Sequence, residues 1–155
     1  MIIEIPGREP LNIKNIVLDY NGTLADSGII PQNVKNKLQE LANIYTLYIL
    51  TADTYGNVAA ECEDLPISLK TFTKEDVSLC KKQVVESLIP SSCACIGNGF
   101  NDIEMFKIAG LSVGIIGPEG ACAAIVPAVD ILANNIDNAL DLFLNTKKIS
   151  ATLRS

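Results

Sequence analysis

Polar residues stand directly after apolar runs at three places in the sequence, and they include the side chains best suited to chemistry. Asp19 follows the first run, Thr51 the second, and Asn98 and Asp102 the fourth. The chain has no histidine, which excludes a Ser-His-Asp or Cys-His nucleophile and an imidazole ligand for zinc. Chemistry must therefore use carboxylate, hydroxyl, amide, amine or thiol groups. A carboxylate that opens a helix, as predicted for Asp102, suits a magnesium ion held by oxygen ligands.

Short apolar runs alternate along the chain with segments of helical period. The runs cover residues 16–18, 44–50, 67–69, 93–96, 111–116 and 129–132. The helical spacing is carried by Val34, Leu38 and Leu41, by Tyr55, Val58, Ala59 and Cys62, by Val77, Val84 and Leu88, and by Ile136, Ala139, Leu140 and Phe143. This alternation predicts an α/β fold, a doubly wound, Rossmann-like parallel sheet with helices on both faces. A small N-terminal hairpin is predicted from residues 2–5 and 11–13.

The carboxyl ends of the strands converge in such a sheet, and ligands bind in the crevice that they form. We therefore expect Asp19, Thr51, Asn98 and Asp102 to lie together despite their separation in sequence. Simpler interpretations exist for two of them. Asp19 precedes an Asn-Gly pair and suits a turn, and Thr51 suits the cap of a helix that starts near Thr54.

Residues beside these clusters are assigned structural roles. Asp53 is interpreted as a helix cap, and Asn101 as a residue that braces a turn. Gly97 and Gly99 resemble the start of a dinucleotide-binding fingerprint. Because Asp102 occupies the third glycine position, that function is excluded.

Lys81 is the candidate cation of the crevice. A helix is predicted over residues 74–89, and Lys81 lies close to its apolar stripe whereas Lys82 points away from it. A lysine in that position can extend its ammonium group into the crevice and pair with a carboxylate and a phosphate. The same spacing suits a surface lysine equally well.

Composition limits the class of protein. The chain has 155 residues, of which 48% are apolar, and one domain over residues 1–155 is expected. A net charge of −6 without clustered basic residues argues against nucleic acid as a partner. Residues 1–7 lack the basic start and long apolar run that are typical of a signal peptide, and no apolar stretch of the sequence reaches membrane-spanning length. The five cysteines are expected to be buried thiols. A cytoplasmic protein without a membrane partner is therefore expected.

The polar clusters, taken in order, resemble the four motifs of the haloacid dehalogenase (HAD) superfamily. The matching segments are Asp19-Tyr-Asn-Gly-Thr23-Leu24, Leu50-Thr51, Lys81 and Gly97-Asn98-Gly-Phe-Asn101-Asp102. The resemblance covers residues 15 to about 154 and is greatest to soluble phosphatases that are similar to the phosphorylation domain of P-type ATPases. The intervals between the motifs are too short for the cap domain that many members carry. An HAD-like fold without a cap is therefore expected.

The resemblance implies a Mg²⁺-dependent phosphohydrolase that works through an aspartyl phosphate. By position, Asp19 would be the nucleophile, and Lys81 would neutralise the transferring phosphoryl group. The hydroxyl group of Thr51 and backbone amides near Ala52 would bind that group. A carboxylate that attacks a phosphate dianion faces strong charge repulsion, which a divalent cation and an ammonium group offset.

The metal site implied by the resemblance comprises Asp19, the backbone carbonyl of Asn21, Asn98 and Asp102. HAD phosphatases commonly have aspartate where this chain has Asn21, and it acts there as general acid and base. An amide cannot donate and reclaim a proton, and this catalysis is worth about a hundred-fold to ten-thousand-fold in rate. We therefore expect slow turnover and a preference for activated donors such as acyl phosphates, aryl phosphates or ATP. Asn98, also aspartate in the family pattern, should weaken metal binding.

An uncapped site is open, so the expected partner is a phosphorylated small molecule or a phosphoprotein, and a neighbouring subunit of a homo-oligomer could close the site. The main alternative is a catalytically weakened protein of this fold that senses phosphate or binds a partner. A response-regulator receiver domain would need an acidic pair at the end of its first strand. The acidic residues before Asp19 are Glu4 and Glu9, which belong to the separate predicted hairpin, so this alternative is disfavoured. Dehalogenase chemistry generally requires no Mg²⁺ and a different set of residues.

Overall fold

The computed structural model describes residues 1–52, 56–73 and 75–155. Its central parallel sheet consists of β3 (Asn15–Asp19), β4 (Thr46–Thr51), β5 (Ser68–Thr71), β6 (Cys93–Gly97), β7 (Leu111–Ile115) and β8 (Ile131–Ala133). The separate N-terminal hairpin consists of β1 (Ile2–Ile3) and β2 (Leu11–Asn12). The helices are α1 (Gln32–Leu41), α2 (Val58–Cys62), α3 (Val77–Ser87), α4 (Ile103–Phe106), α5 (Ile136–Leu144) and α6 (Lys147–Leu153).

The strand order of the sheet is β5-β4-β3-β6-β7-β8, and every neighbouring pair is parallel. The order changes direction between β3 and β6, so the crevice of a doubly wound sheet lies at their carboxyl ends. The predicted doubly wound sheet and N-terminal hairpin are both confirmed. In the described part of the chain, α1 alone separates β3 from β4 and α2 alone separates β4 from β5, which leaves no cap domain there.

Alternate residues of β3 enter two different cores, one on each face of the sheet. Ile16 and Leu18 belong to the core that includes residues of α1 and α5, whereas Val17 belongs to the core of α3 and α4. Side chains of a strand point to opposite faces in turn, so an apolar run buries both sides. The carboxyl end of β3 is therefore held rigidly between two layers of helices.

The helices differ from the predicted segments mainly at their ends. The helix predicted over 74–89 is observed over Val77–Ser87, and it stops before Ile89, whose φ is +63°. Helix α2 begins only at Val58, with Asn57 before it, so Thr51 does not cap it. Asp53, Thr54, Tyr55 and Lys74 lie outside the described residues. The longest described helix has 11 residues, and within the described ranges none has the length and hydropathy needed to cross a membrane.

The five cysteines are all unpaired but differ in burial. Cys62, Cys93 and Cys95 are buried as predicted, whereas Cys80 and Cys122 are only half-buried. Burial raises the pKa of Cys62 to about 11 and that of Cys95 well above its usual value, and thiols react as thiolates. We expect a chromogenic disulfide reagent at pH 8 to modify two thiols quickly in the native protein and the other three only after unfolding. Rapid modification of all five thiols would contradict this arrangement.

Candidate active site

A cavity of about 240 Å³ opens at the carboxyl ends of β3, β4 and β6. It is lined by Asp19, Asn21, Thr51, Ala52, Lys81, Asn98, Gly99, Asn101 and Glu119. Six of the seven predicted site residues are in this lining, and the seventh, Asp102, lies directly behind it. A larger groove of about 680 Å³ beside β5 and α3 is lined by no carboxylate of the described residues, so it offers no comparable chemistry.

Asp19 is the last residue of β3, and its two carboxylate oxygens have different partners. Oδ1 lies 2.6 Å from Nζ of Lys81, and Oδ2 accepts a hydrogen bond of 3.0 Å from Oγ1 of Thr23. Thr23 returns to the aspartate because Gly22 turns the chain with a φ of +74°, a conformation that glycine adopts without strain. Asp19 is 8% exposed, so a narrow part of its carboxylate faces the cavity.

Lys81 is the buried cation of this site. Its side chain is 1% exposed, and Nζ lies 2.6 Å from an oxygen of Asp19, 2.6 Å from one of Asp102 and 3.2 Å from Oδ1 of Asn101. Burial alone would lower the pKa of this ammonium group, but the charges of the two aspartates prevail and raise it to about 12. The neighbouring Lys82 is only half-buried, and its Nζ lies 3.8 Å from a carboxylate oxygen of Glu86. Lys81 is thus a charged ammonium group at the floor of the cavity at neutral pH.

Asp102 differs from the expected arrangement. It is fully buried, its Oδ1 accepts from Lys81, and its Oδ2 accepts from the backbone N–H groups of Asn98 and Gly99 at 3.1 and 2.9 Å. Burial and repulsion from Asp19 raise the pKa of Asp102 to about 6 despite the lysine. With every contact directed inward, Asp102 positions Lys81 and the loop after β6, and it does not present an oxygen to the cavity.

Gly97 makes room for this buried carboxylate. A Cβ atom at position 97 would overlap the side chain of Asp102, whereas one at Gly99 would lie 3.5 Å from it. We expect Gly97→Ala to displace Asp102 and to lower the free energy of unfolding by about 1–3 kcal/mol, as overpacking does. Urea denaturation beside Gly99→Ala measures this, and equal stability of the two variants would contradict it.

The side chains of Thr23 and Asn98 continue the network away from the lysine. Oγ1 of Thr23 lies 3.0 Å from Oδ2 of Asp19 and 3.1 Å from Oδ1 of Asn98. A hydroxyl group has one proton to donate, so these two acceptors share a single donor. The amide nitrogen of Asn98 donates to the carbonyl oxygen of Gly120 at 2.9 Å, which fixes the amide orientation because a carbonyl can only accept.

Asn21 and Thr51 line the cavity together with Asp19. The side-chain oxygen of Asn21 is buried and has no hydrogen-bond partner among the described residues, although a buried polar atom normally has one. Thr51 ends β4 and is 2% exposed, and its backbone carbonyl accepts from Phe72. Ala52 follows it in the cavity lining. A hydroxyl-bearing residue and a residue with an unsatisfied amide oxygen therefore share the cavity lining with the carboxylate.

Three residues of the site were not predicted as functional. Thr23 stands inside the first motif, but sequence alone does not show that its hydroxyl group contacts two other site residues. Asn101 was interpreted as a turn residue, whereas its side chain accepts from Lys81. Glu119 comes from a Gly-Pro-Glu-Gly segment after β7 that resembles no motif, and only the turn-forming glycines and proline mark it.

The residues present fit a magnesium ion. Asp19 contributes a carboxylate, Asn98 a side-chain amide oxygen and Asn21 its backbone carbonyl oxygen, and the shared Thr23 proton leaves one acceptor without a donor. Two aspartates face one lysine, so the buried charges sum to −1. Within the described ranges, no three acidic or cysteine side chains form a ready ligand cluster, which agrees with Mg²⁺ because this ion takes one or two carboxylates and keeps several waters.

Sequence comparison finds limited similarity. No family model matches the chain. An uncharacterized protein of Methanocaldococcus jannaschii is 44% identical over 59 residues, which span 38% of this chain and 63% of that protein. The match therefore covers less than two thirds of that relative, and it assigns no activity.

Solved structures similar to this chain share its fold across most of their length. The cobalt-bound deoxy-D-mannose-octulosonate 8-phosphate phosphatase of Haemophilus influenzae has a TM-score of 0.72 at 17% identity, over 93% of this chain and 94% of that chain. The 3-deoxy-D-manno-octulosonate 8-phosphate phosphatase of Moraxella catarrhalis, in complex with magnesium and phosphate ions, has a TM-score of 0.71 at 21% identity, over 92% and 94%. A haloacid dehalogenase-like hydrolase of Streptococcus pneumoniae has a TM-score of 0.65 at 16% identity, over 85% and 99%. This chain therefore has the fold of the HAD superfamily, as its motifs predicted.

Proposed function

We propose that the chain is a Mg²⁺-dependent phosphohydrolase of the HAD superfamily that acts through an aspartyl phosphate on Asp19. The observation that carries the proposal is the position of this carboxylate. It ends the central strand at the crevice of the sheet, faces a cavity and is paired with a buried lysine at 2.6 Å. The similar phosphatases support the reaction class, because two of them are named for a sugar phosphate that they hydrolyse.

Each step can be assigned to a group of this chain. Asp19 attacks phosphorus and forms a carboxyl–phosphate bond as the leaving group departs, and water later opens that bond to regenerate the carboxylate and release phosphate. Lys81 neutralises the charge of the phosphoryl group, and the hydroxyl group of Thr51 binds one of its oxygens. Asp19, Asn98 and the backbone carbonyl of Asn21 would hold Mg²⁺, which supplies charge neutralisation when bound.

Asp102 acts through Lys81 in this proposal. Its carboxylate holds the ammonium group at 2.6 Å while two backbone N–H groups hold the carboxylate. A lysine fixed in this way needs no rearrangement when the phosphoryl group arrives, and in many enzymes such preorganised charge accounts for most of the rate enhancement. Asp102 is thus a positioning residue rather than a metal ligand.

Asn21 determines the substrate preference that we propose. A phosphate ester with a poor leaving group needs a proton at the departing oxygen, and an amide cannot supply it. Acyl phosphates, aryl phosphates and ATP depend less on proton donation to the departing oxygen, because their leaving groups are stable anions. The chain should therefore act slowly and favour such activated donors, whether on small molecules or on phosphoproteins.

Replacing Asn21 with aspartate should restore the missing acid and base. We expect Asn21→Asp to increase turnover of an alkyl phosphate by about a hundred-fold or more, because general acid–base catalysis has that magnitude. The control is Asn43→Asp, at an exposed position before β4, which should leave turnover of the alkyl phosphate unchanged. Equal rates for native protein and Asn21→Asp would show that proton transfer does not limit turnover.

A substrate panel tests the proposal itself. Phosphate release in Mg²⁺ should be faster from p-nitrophenyl phosphate and acetyl phosphate than from a sugar phosphate such as 3-deoxy-D-manno-octulosonate 8-phosphate, and EDTA should abolish it. A faster rate on the sugar ester would contradict the proposed preference. No release from any donor would favour the second candidate, a phosphate-sensing or partner-binding protein, which the amides at Asn21 and Asn98 also suit.

A further inference from the structure

We infer that Glu119 is an additional residue of the metal site and supplies the negative charge that Asn98 lacks. The inference rests on the proposed function, because it assumes that the cavity holds a divalent cation. Glu119 lines the same cavity as Asp19 and Asn98, although it follows Asp19 by a hundred positions. With Asp102 directed inward, Asp19 and Glu119 are the carboxylates that line this cavity.

A short turn brings Glu119 to this place. The N–H group of Gly120 donates to the carbonyl oxygen of Gly117 at 2.9 Å, and Gly120 has a φ of +82°. The turn is seated against the first motif, since a Cβ atom on Gly117 would overlap the carbonyl oxygen of Gly22. Only a residue without a side chain allows this close approach, so the position of the turn is fixed by packing.

The side chains of Glu119 and Asn98 lie close together beside Gly22. A Cβ atom on Gly22 would lie 2.9 Å from Oε2 of Glu119 and 2.8 Å from Nδ2 of Asn98. The carboxylate of Glu119 is therefore a neighbour of the side-chain amide of Asn98, the position at which the family has aspartate. It also lies beside Gly22, the residue that follows Asn21. A carboxylate here brings its charge to the wall of the cavity that Gly22 and Asn98 form.

The amide at position 98 holds the turn that carries Glu119. Nδ2 of Asn98 donates to the carbonyl oxygen of Gly120 at 2.9 Å, and the backbone oxygen of Asn98 accepts from Cys122 at 2.9 Å. An aspartate could not donate the first of these bonds and would place a charged oxygen against a carbonyl oxygen. Asn98 therefore holds the turn that carries Glu119, and Glu119 supplies the charge that the amide at position 98 lacks.

Binding of Mn²⁺ alone, followed by the electron paramagnetic resonance signal of the free ion, tests this inference without any turnover. Glu119→Gln should weaken binding roughly tenfold to hundredfold, which is the range for groups that support a metal site. Glu40→Gln removes the same charge from an exposed position on α1 and should bind like the native chain. The double variant Asn98→Asp/Glu119→Gln should recover most of the lost affinity, because the carboxylate returns at the neighbouring position.

The outcomes separate this inference from the proposed function. If the native chain binds Mn²⁺ and Glu119→Gln binds it as tightly as Glu40→Gln does, the role of Glu119 is overturned while the phosphohydrolase proposal stands. If the native chain binds no Mn²⁺, the proposed function itself is contradicted, because it requires a divalent cation in the cavity. A thermal unfolding curve for each variant, recorded without metal, establishes that a loss of affinity does not come from unfolding.

Discussion

Asp19→Asn should abolish phosphate release from every donor, with a loss of at least about a thousandfold, because removal of a nucleophile leaves only the background reaction. The amide has the same shape, can accept from Lys81 and can contact Thr23, so the folded structure should persist. Asp26→Asn is the matched control, because Asp26 is an exposed carboxylate in the following loop. It should retain native turnover.

Residual activity identifies what Asp19 does. If Asp19→Asn kept a tenth of the native rate, the carboxylate would be a metal ligand or a structural residue and another group would attack phosphorus. Circular dichroism of both variants must match the native spectrum. Turnover should be measured on acetyl phosphate and p-nitrophenyl phosphate, because these donors need no proton at the leaving group and their rates report on nucleophilic attack.

Lys81→Met should lower the free energy of unfolding at pH 7 by about 3–5 kcal/mol, the cost of leaving buried charges without their partner. Methionine preserves the length of the side chain, but Asp19 and Asp102 then face one another without a cation. Lys82→Met, one residue further along α3, should cost less than about 0.5 kcal/mol, because Lys82 is half-buried and pairs with Glu86 at 3.8 Å on the surface of the helix. Urea denaturation without metal measures both.

The pH dependence gives this prediction a second check. Burial raises the pKa of the Asp102 carboxyl group and Lys81 limits that rise, so without the lysine this pKa must rise further and the folded state binds more protons than the unfolded state. Stability of Lys81→Met should then increase relative to the native chain as the pH falls from 7 towards 4. Adding Asp102→Asn should recover part of the loss, since one buried charge is removed. A constant deficit at all pH values would contradict a purely electrostatic cause.

The fold could be predicted from the sequence because its signals are local. Most strands of the sheet contain a short apolar run, with the edge strand β5 as the exception, and each polar cluster follows such a run directly. In a parallel sheet all carboxyl ends meet at one edge, so the proximity of Asp19, Thr51 and Asn98 followed from the element order alone. The ends of helices were less predictable, as α3 shows, because tertiary packing and the backbone at Ile89 set the boundary.

The orientation of the site residues could not be predicted in the same way. Asp102 and Asn98 stand in one motif, yet the side chain of Asp102 is directed inward and that of Asn98 lines the cavity. The backbone N–H groups of the loop bind the Asp102 carboxylate behind the cavity, and Gly97 leaves space for it there. Glu119 gave no signal, since its place depends on a close contact between Gly117 and Gly22. Such contacts between distant segments are properties of the packed structure.

The most direct test of the central claim is chemical trapping of the phosphorylated residue. The chain is incubated with acetyl phosphate and Mg²⁺, quenched and reduced with borohydride, which converts an aspartyl phosphate into homoserine, and the peptides are identified by mass spectrometry. We expect homoserine at position 19, dependent on both acetyl phosphate and Mg²⁺. Steady release of phosphate with no modification at position 19, or modification at another residue, would contradict the claim.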